Sequence, residues 1–94
     1  MEYLTVNKTW IKKLGIIPAV ILANYVQEKS DNDWFLLSHK KIMNQLNIKE
    51  YSISQAKKAL ISLGLIEIKR EGIPSKEWIK INIKKLHEFT NQIQ

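Results

Sequence analysis

The chain has 94 residues, 45% of them hydrophobic and 26% charged, with a formal net charge of +6. That length supports a single domain with one modest core, and the composition is globular rather than disordered. The absence of cysteine excludes disulfides and thiolate–metal sites, and the longest apolar run, Leu14 to Ala23, is about half a membrane span.

Tyr3-Leu4-Thr5-Val6 alternates weakly, as a short edge strand or arm would. Asn7 is placed to cap a helix through Leu14, with Trp10, Ile11 and Leu14 at helical spacing and Gly15 as a left-handed stop. Pro18 suits the first turn of the next helix, which runs to about Lys29. Ile17, Ala19, Val20, Ile21, Leu22, Ala23 and Val26 make that helix apolar nearly all round, so it is expected to be the central buried one. Ser30 to Asp33 reads as a polar turn, and Trp34 to Leu37 as a short strand.

Ser38 opens the next helix as N-cap, with His39, Ile42, Met43 and Leu46 at i, i+3, i+4 and i+7. Asn47 tolerates the left-handed exit that a sharp turn needs, and Ile48 follows as an apolar plug beneath it. In the following helix Ile53, Ala56, Ala59, Leu60 and Leu63 fall within about 120° of one another and define a buried face. Its start has two readings. A capping box at Ser52-Ile53-Ser54-Gln55 begins it near Ile53 and commits Ser52 and Gln55 to structure. A start near Glu50 leaves both exposed. Gly64 closes the helix. Ile66 and Ile68, then Ile79, Ile81 and Ile83, alternate with polar residues as a half-buried antiparallel pair around Gly72 and Pro74. From Lys84 a final helix carries Leu86, Phe89 and Ile93 on one side.

This order predicts an α+β fold, a winged helix-turn-helix with a three-helix core, a small antiparallel β-wing and a carboxy-terminal helix. The helix-turn-helix occupies about 38–63, the wing about 65–83 and the last helix about 84–93 of one domain spanning 1–94. Charge follows the same division. Residues 1–37 carry four basic and four acidic groups, whereas residues 38–85 carry eleven basic and four acidic. Such asymmetry points to a face for a polyanion, against the plain alternative of a solvated lysine coat.

Opposite the buried face of the second helix lie Ser54, Gln55, Lys57, Lys58 and Ser62. Gln pairs bidentately with adenine, Lys reaches guanine or phosphate, and Ser serves either. Ser54, Gln55 and Lys58 are therefore the candidate base-contacting set on double-stranded DNA. Ser38, Lys40, Lys41, Lys57, Lys69, Arg70 and Lys76 are the candidate backbone contacts. His39 lies on an apolar edge and reads as a packed, hydrogen-bonded histidine. Tyr51 either stacks on a partner or packs at the turn. Trp10, Trp34 and Trp78 read as core or core-edge residues, with Trp78 on the outer phase of its strand. Leu86, Phe89 and Ile93 have little core left to fill, so they are candidates for a homodimer interface.

Catalytic, cofactor and metal roles find no candidates. His39 and His87 lie on separate helices without cysteine or clustered carboxylates, and three glycines form no phosphate loop. An enzyme is not expected. Glu2 and Thr5 stand where a signal peptide would need basic and apolar residues, so a cytoplasmic location is expected.

Ile53-Ser54-Gln55-Ala56 and Leu60, then Leu63-Gly64-Leu65-Ile66-Glu67-Ile68-Lys69-Arg70, run on into Gly72-Ile73-Pro74-Ser75-Lys76 and Ile79-Lys80-Ile81-Asn82. Through these residues the segment from Trp34 to Asn82 resembles the winged-helix domain of phage replisome-organiser and DnaD-like primosomal proteins. Trp10-Ile11-Lys12-Lys13-Leu14-Gly15 is similar to the opening of those domains. One departure is Lys49, where such domains often place a capping Ser or Thr. The resemblance implies DNA binding in replication or transcriptional control of a phage, plasmid or other mobile element. The alternative is a protein-interaction winged helix that inhibits or adapts a host nucleic-acid machine.

Overall fold

The computed structural model describes residues 3–29 and 32–91. Along the chain come α1 (Lys8–Leu14), α2 (Ile16–Glu28), β1 (Trp34–Leu36), α3 (His39–Leu46), α4 (Glu50–Ser62), β2 (Ile66–Glu71), β3 (Lys76–Ile81) and α5 (Ile83–Asn91). The strands form one antiparallel sheet in the order β1-β3-β2. This is the α+β arrangement expected, a helix-turn-helix followed by a β-hairpin wing.

Local chemistry sets the boundaries. Asn7 caps α1 by accepting the Thr9 N–H at 2.8 Å. Gly15, with φ at 94°, ends α1 and opens α2, a conformation that residues with a Cβ rarely adopt. Tyr3 to Asn7 forms no strand, although Leu4 and Val6 pack against the core. Ala19, Ile21, Leu22, Ala23 and Tyr25 make α2 the central helix. Its burial is not all round, because Ile16 and Ile17 in the first turn and Val26 in the last reach solvent. Of the expected polar turn, Ser30 and Asp31 lie outside the described residues.

Ser38 caps α3 through its Oγ, which accepts the Lys41 N–H at 3.1 Å. Asn47 takes the left-handed conformation at φ 54° and ψ 42°, and its N–H returns to the Met43 carbonyl at 2.8 Å. Met43, expected on the apolar stripe, is exposed. The next helix starts at Glu50 rather than Ile53, with Lys49 at its N-cap and no side-chain cap bond. Ile53, Ala56 and Leu60 are its buried face. Leu63, expected on that face, is the C-cap residue and is 44% exposed.

On the inner side of the sheet Phe35 and Ile68 both pair with Ile79, and Ile66 pairs with Ile81. Ile83 does not extend β3. Asn82 interrupts the strand by accepting the Lys85 N–H at 3.1 Å, so Ile83 becomes the first residue of α5 and is 50% exposed. The last helix then folds back on α1. Leu86, only 9% exposed, enters the core, and Phe89 packs against it. The Trp10 Nε1–H donates to Thr90 Oγ1 at 2.8 Å, and the Lys13 ammonium donates to the Phe89 carbonyl at 2.7 Å. The premise for a dimer stripe is thereby corrected: Leu86 and Phe89 find their partners within the chain. Ile93 lies outside the described residues.

Candidate nucleic-acid interface

A start at Glu50 decides which side chains α4 presents. Tyr51, Gln55, Lys58 and Ser62 are all exposed, and their spacing of four, three and four places them on one stripe opposite Ile53, Ala56 and Leu60. Gln55 and Lys58 stand where the sequence places them. Ser54 is half-buried and lines the cleft between α4 and the hairpin, together with Lys58, Ile61 and Arg70. Tyr51, 74% exposed, belongs to the stripe without having been assigned to it. The signal available was its position, one helical turn before Gln55.

Lys57 corrects the helical-wheel assignment. Expected on the outer face, it is 7% exposed and held between α3 and the hairpin. Its ammonium contacts the Glu77 carboxylate and lies 2.7 Å from His39 Nε2. An ammonium has donors only, so Nε2 must accept and the neutral ring carries its proton on Nδ1. That Nδ1 faces Glu50 Oε1 at 3.7 Å. Burial, and then the Arg70 charge, pull the Lys57 pKa down to about 8, while the Glu77 carboxylate in contact works the other way. Burial first, then the Lys57 charge, lower the pKa of His39. Lys57 therefore joins the helix-turn-helix to the wing.

The remaining candidate backbone contacts divide by their partners. Lys41 pairs with Glu28 at 3.5 Å, Lys69 with Glu71 at 3.4 Å and Arg70 with Glu77 at 3.2 Å. Lys40, Lys58 and Lys76 are exposed and hold no ion pair among the described residues, and the same is true of Lys49 at the start of α4. Ser38 is exposed, although its Oγ is already the acceptor for Lys41. Ser38, Glu50 and Lys76 line one cleft, so the N-termini of α3 and α4 meet the hairpin there. With Lys57 withdrawn, α4 presents a polar stripe with one lysine, and Lys49 stands at the start of the same helix.

Among the described residues no group of three or more His, Asp or Glu side chains is placed to hold a metal ion. No helix among them is long and apolar enough to cross a membrane.

No protein-family model matches the chain. No curated protein matches it either. Solved structures do. One is the N-terminal domain of a DNA-binding protein, at 20% identity and a TM-score of 0.61, covering 99% of this chain and 89% of that one. Another is a Rep–DNA complex, also at 20% identity and a TM-score of 0.61, covering 99% of this chain and 90% of the other. At that identity the likeness establishes the shared fold.

Proposed function

We propose that this chain is a duplex-DNA-binding winged-helix domain that presents the outer stripe of α4 to the major groove. The observation that carries the reading is that stripe, Tyr51, Gln55, Lys58 and Ser62, with exposed lysines that hold no ion pair among the described residues at the start of α4 (Lys49), on α3 (Lys40) and on the hairpin (Lys76). Gln55 and Lys58 supply base-edge contacts, and Tyr51 and Ser62 extend the reading surface. Lys40, Lys49 and Lys76 neutralise phosphates on either side. Ser38 adds a helix N-terminus to the backbone contacts. Lys41, Lys69 and Arg70 join only by exchanging a carboxylate for a phosphate, so they contribute less.

The likeness to a Rep–DNA complex supports a DNA-binding role, in replication or transcriptional control. The resemblance to replisome-organiser domains supports a phage, plasmid or other mobile element as the setting. The test is fluorescence anisotropy of labelled duplexes, random and AT-rich, titrated across a salt series. A steep linear fall of log affinity with log salt supports the reading, and a sequence preference that survives high salt identifies a site-specific binder.

A second reading has its own observation. Ile17, Pro18 and Tyr51 line an apolar hollow beside Gln55, and exposed Ile16 lies next to Ile17. Such a patch beside the stripe favours a protein partner. Absence of duplex binding at low salt, with capture of a defined partner that Tyr51→Ala abolishes, would establish this reading over the first.

A further inference from the structure

The sheet has two faces of different chemistry. Its inner face carries Phe35, Ile66, Ile79 and Ile81 into the core. The strand register places Trp34 beside Lys80, which faces Glu67, and Leu36 beside Trp78, which faces Lys69. Because side chains alternate along a strand, Lys76, Trp78 and Lys80 form one row on the outer face of β3, about 7 Å apart along the strand. Trp34 and Leu36 flank that row on β1. Neither Trp34 nor Trp78 belongs to the core or packs against it as Phe89 does, and Leu36 is exposed. Two of the three tryptophans of this chain therefore lie on one surface outside the core, whereas Trp10 is buried. The Lys69 ammonium lies 4.4 Å from the Trp34 ring centroid and that of Lys80 lies 5.8 Å from it.

We infer that this outer sheet face binds single-stranded DNA. The Trp34 ring, with two ammonium groups near it, and the Trp78 ring two residues from Lys80 supply both requirements of a single strand: a π-surface for the bases and cations for the phosphates. Lys69, Lys76 and Lys80 outnumber the two glutamates of this face, Glu67 and Glu71, so the complement is anionic. Glu71 holds Lys69 at 3.4 Å, which leaves Lys80 as the principal phosphate contact of this face. A duplex stacks its bases on one another and offers nothing to these rings, so the ligand is the melted strand. The inference rests on Trp34, Trp78 and Lys80, none of which is in the proposed duplex-reading stripe.

The test uses the full chain and labelled oligothymidine, with tryptophan fluorescence and anisotropy as readouts. Oligothymidine should bind and quench the tryptophans. Trp78→Ala or Trp34→Ala should weaken binding about fivefold or more, while Trp78→Phe retains most of it. Lys80→Gln should lower the salt slope by about 0.7. Duplex binding should be unchanged in these variants, and Lys58→Ala should leave oligothymidine binding intact. The inference is overturned if oligothymidine does not bind at low salt, or if folded Trp34 and Trp78 variants bind it normally. It is equally overturned if Lys58→Ala removes the binding, which puts the strand on α4. Unquenched tryptophans in a chain that sediments as a dimer would assign the face to a second copy instead.

Discussion

Lys57 and Lys58 are adjacent residues of α4 with the same side chain, and the fold gives them opposite work. A step of 100° around the helix axis turns Lys57 into the junction of α3, α4 and the hairpin, where it meets His39 and Glu77. Lys58 faces away, exposed and without an ion pair among the described residues. The same contrast divides the hairpin. Arg70 and Glu77 continue the inner face of the sheet and close over Lys57, while Lys76 and Lys80 stand on the outer face. The net charge of a segment therefore overstates the cations it offers to a polyanion, since some of them hold the elements together.

The largest expected effect separates the two lysines by stability. Lys57→Ala removes the buried partner of Glu77 and His39, and should cost about 2–4 kcal/mol in urea unfolding. Lys58→Ala should change stability by no more than about 0.5 kcal/mol. Replacing the pair together, Lys57→Met with Glu77→Leu, should return stability to within about 1–2 kcal/mol of wild type, because neither charge is then left buried alone. If the double variant is no better than Lys57→Ala, the ion pair is not what joins these elements.

Next in size is the effect on DNA. If Gln55 pairs with an adenine, Gln55→Ala should cost about 1–3 kcal/mol on the preferred duplex and little on random sequence, read by anisotropy. Equal losses on both duplexes would make Gln55 a backbone contact.

A smaller effect separates interior from surface by pH. The folded chain holds His39 below the ordinary histidine value of 6.5. Between that value and the folded pKa the unfolded chain takes up the proton first, so this stability is fully present above pH 6.5 and declines as pH falls through that window. His39→Gln should flatten the decline in thermal melts from neutral pH downward.

The smallest effect is near the carboxy-terminal end of α2. The Tyr25 hydroxyl is buried without a hydrogen-bond partner among the described residues, and burial pushes its pKa up. Tyr25→Phe should be neutral or stabilising by up to about 1 kcal/mol, since it removes an unsatisfied polar group and keeps the edge contact with Phe35. A clear loss of stability would mean that the hydroxyl is satisfied in solution.

Much of this fold was legible because its punctuation is local. Asn7, Ser38, Asn47 and Gly64 act within a few residues of themselves, and the isoleucine alternation of β2 and β3 reports a half-buried sheet directly. The misreadings came from long-range partners. Nothing near Lys57 in the chain announces Glu77, twenty residues on, and nothing near Leu86 announces that α5 packs against α1. Ile83 continues the strand alternation perfectly, yet the cap supplied by Asn82 starts a helix there. For the candidate site, Gln55 and Lys58 were readable from the helical wheel. Tyr51 was not fixed, because its exposure depends on where α4 begins. The pairing of Trp34 with Lys80 required the β1–β3 register.

The most direct test of the central claim is the salt dependence of duplex binding for three proteins: the wild type, Lys58→Ala, and the Lys57→Met, Glu77→Leu pair. Lys58→Ala is expected to lower the log–log slope by about 0.9, one released counterion, while the interior pair, which keeps Lys58 and frees Arg70 from Glu77, does not lower it. The opposite pattern, with the slope lost from the interior pair and kept in Lys58→Ala, would contradict the claim.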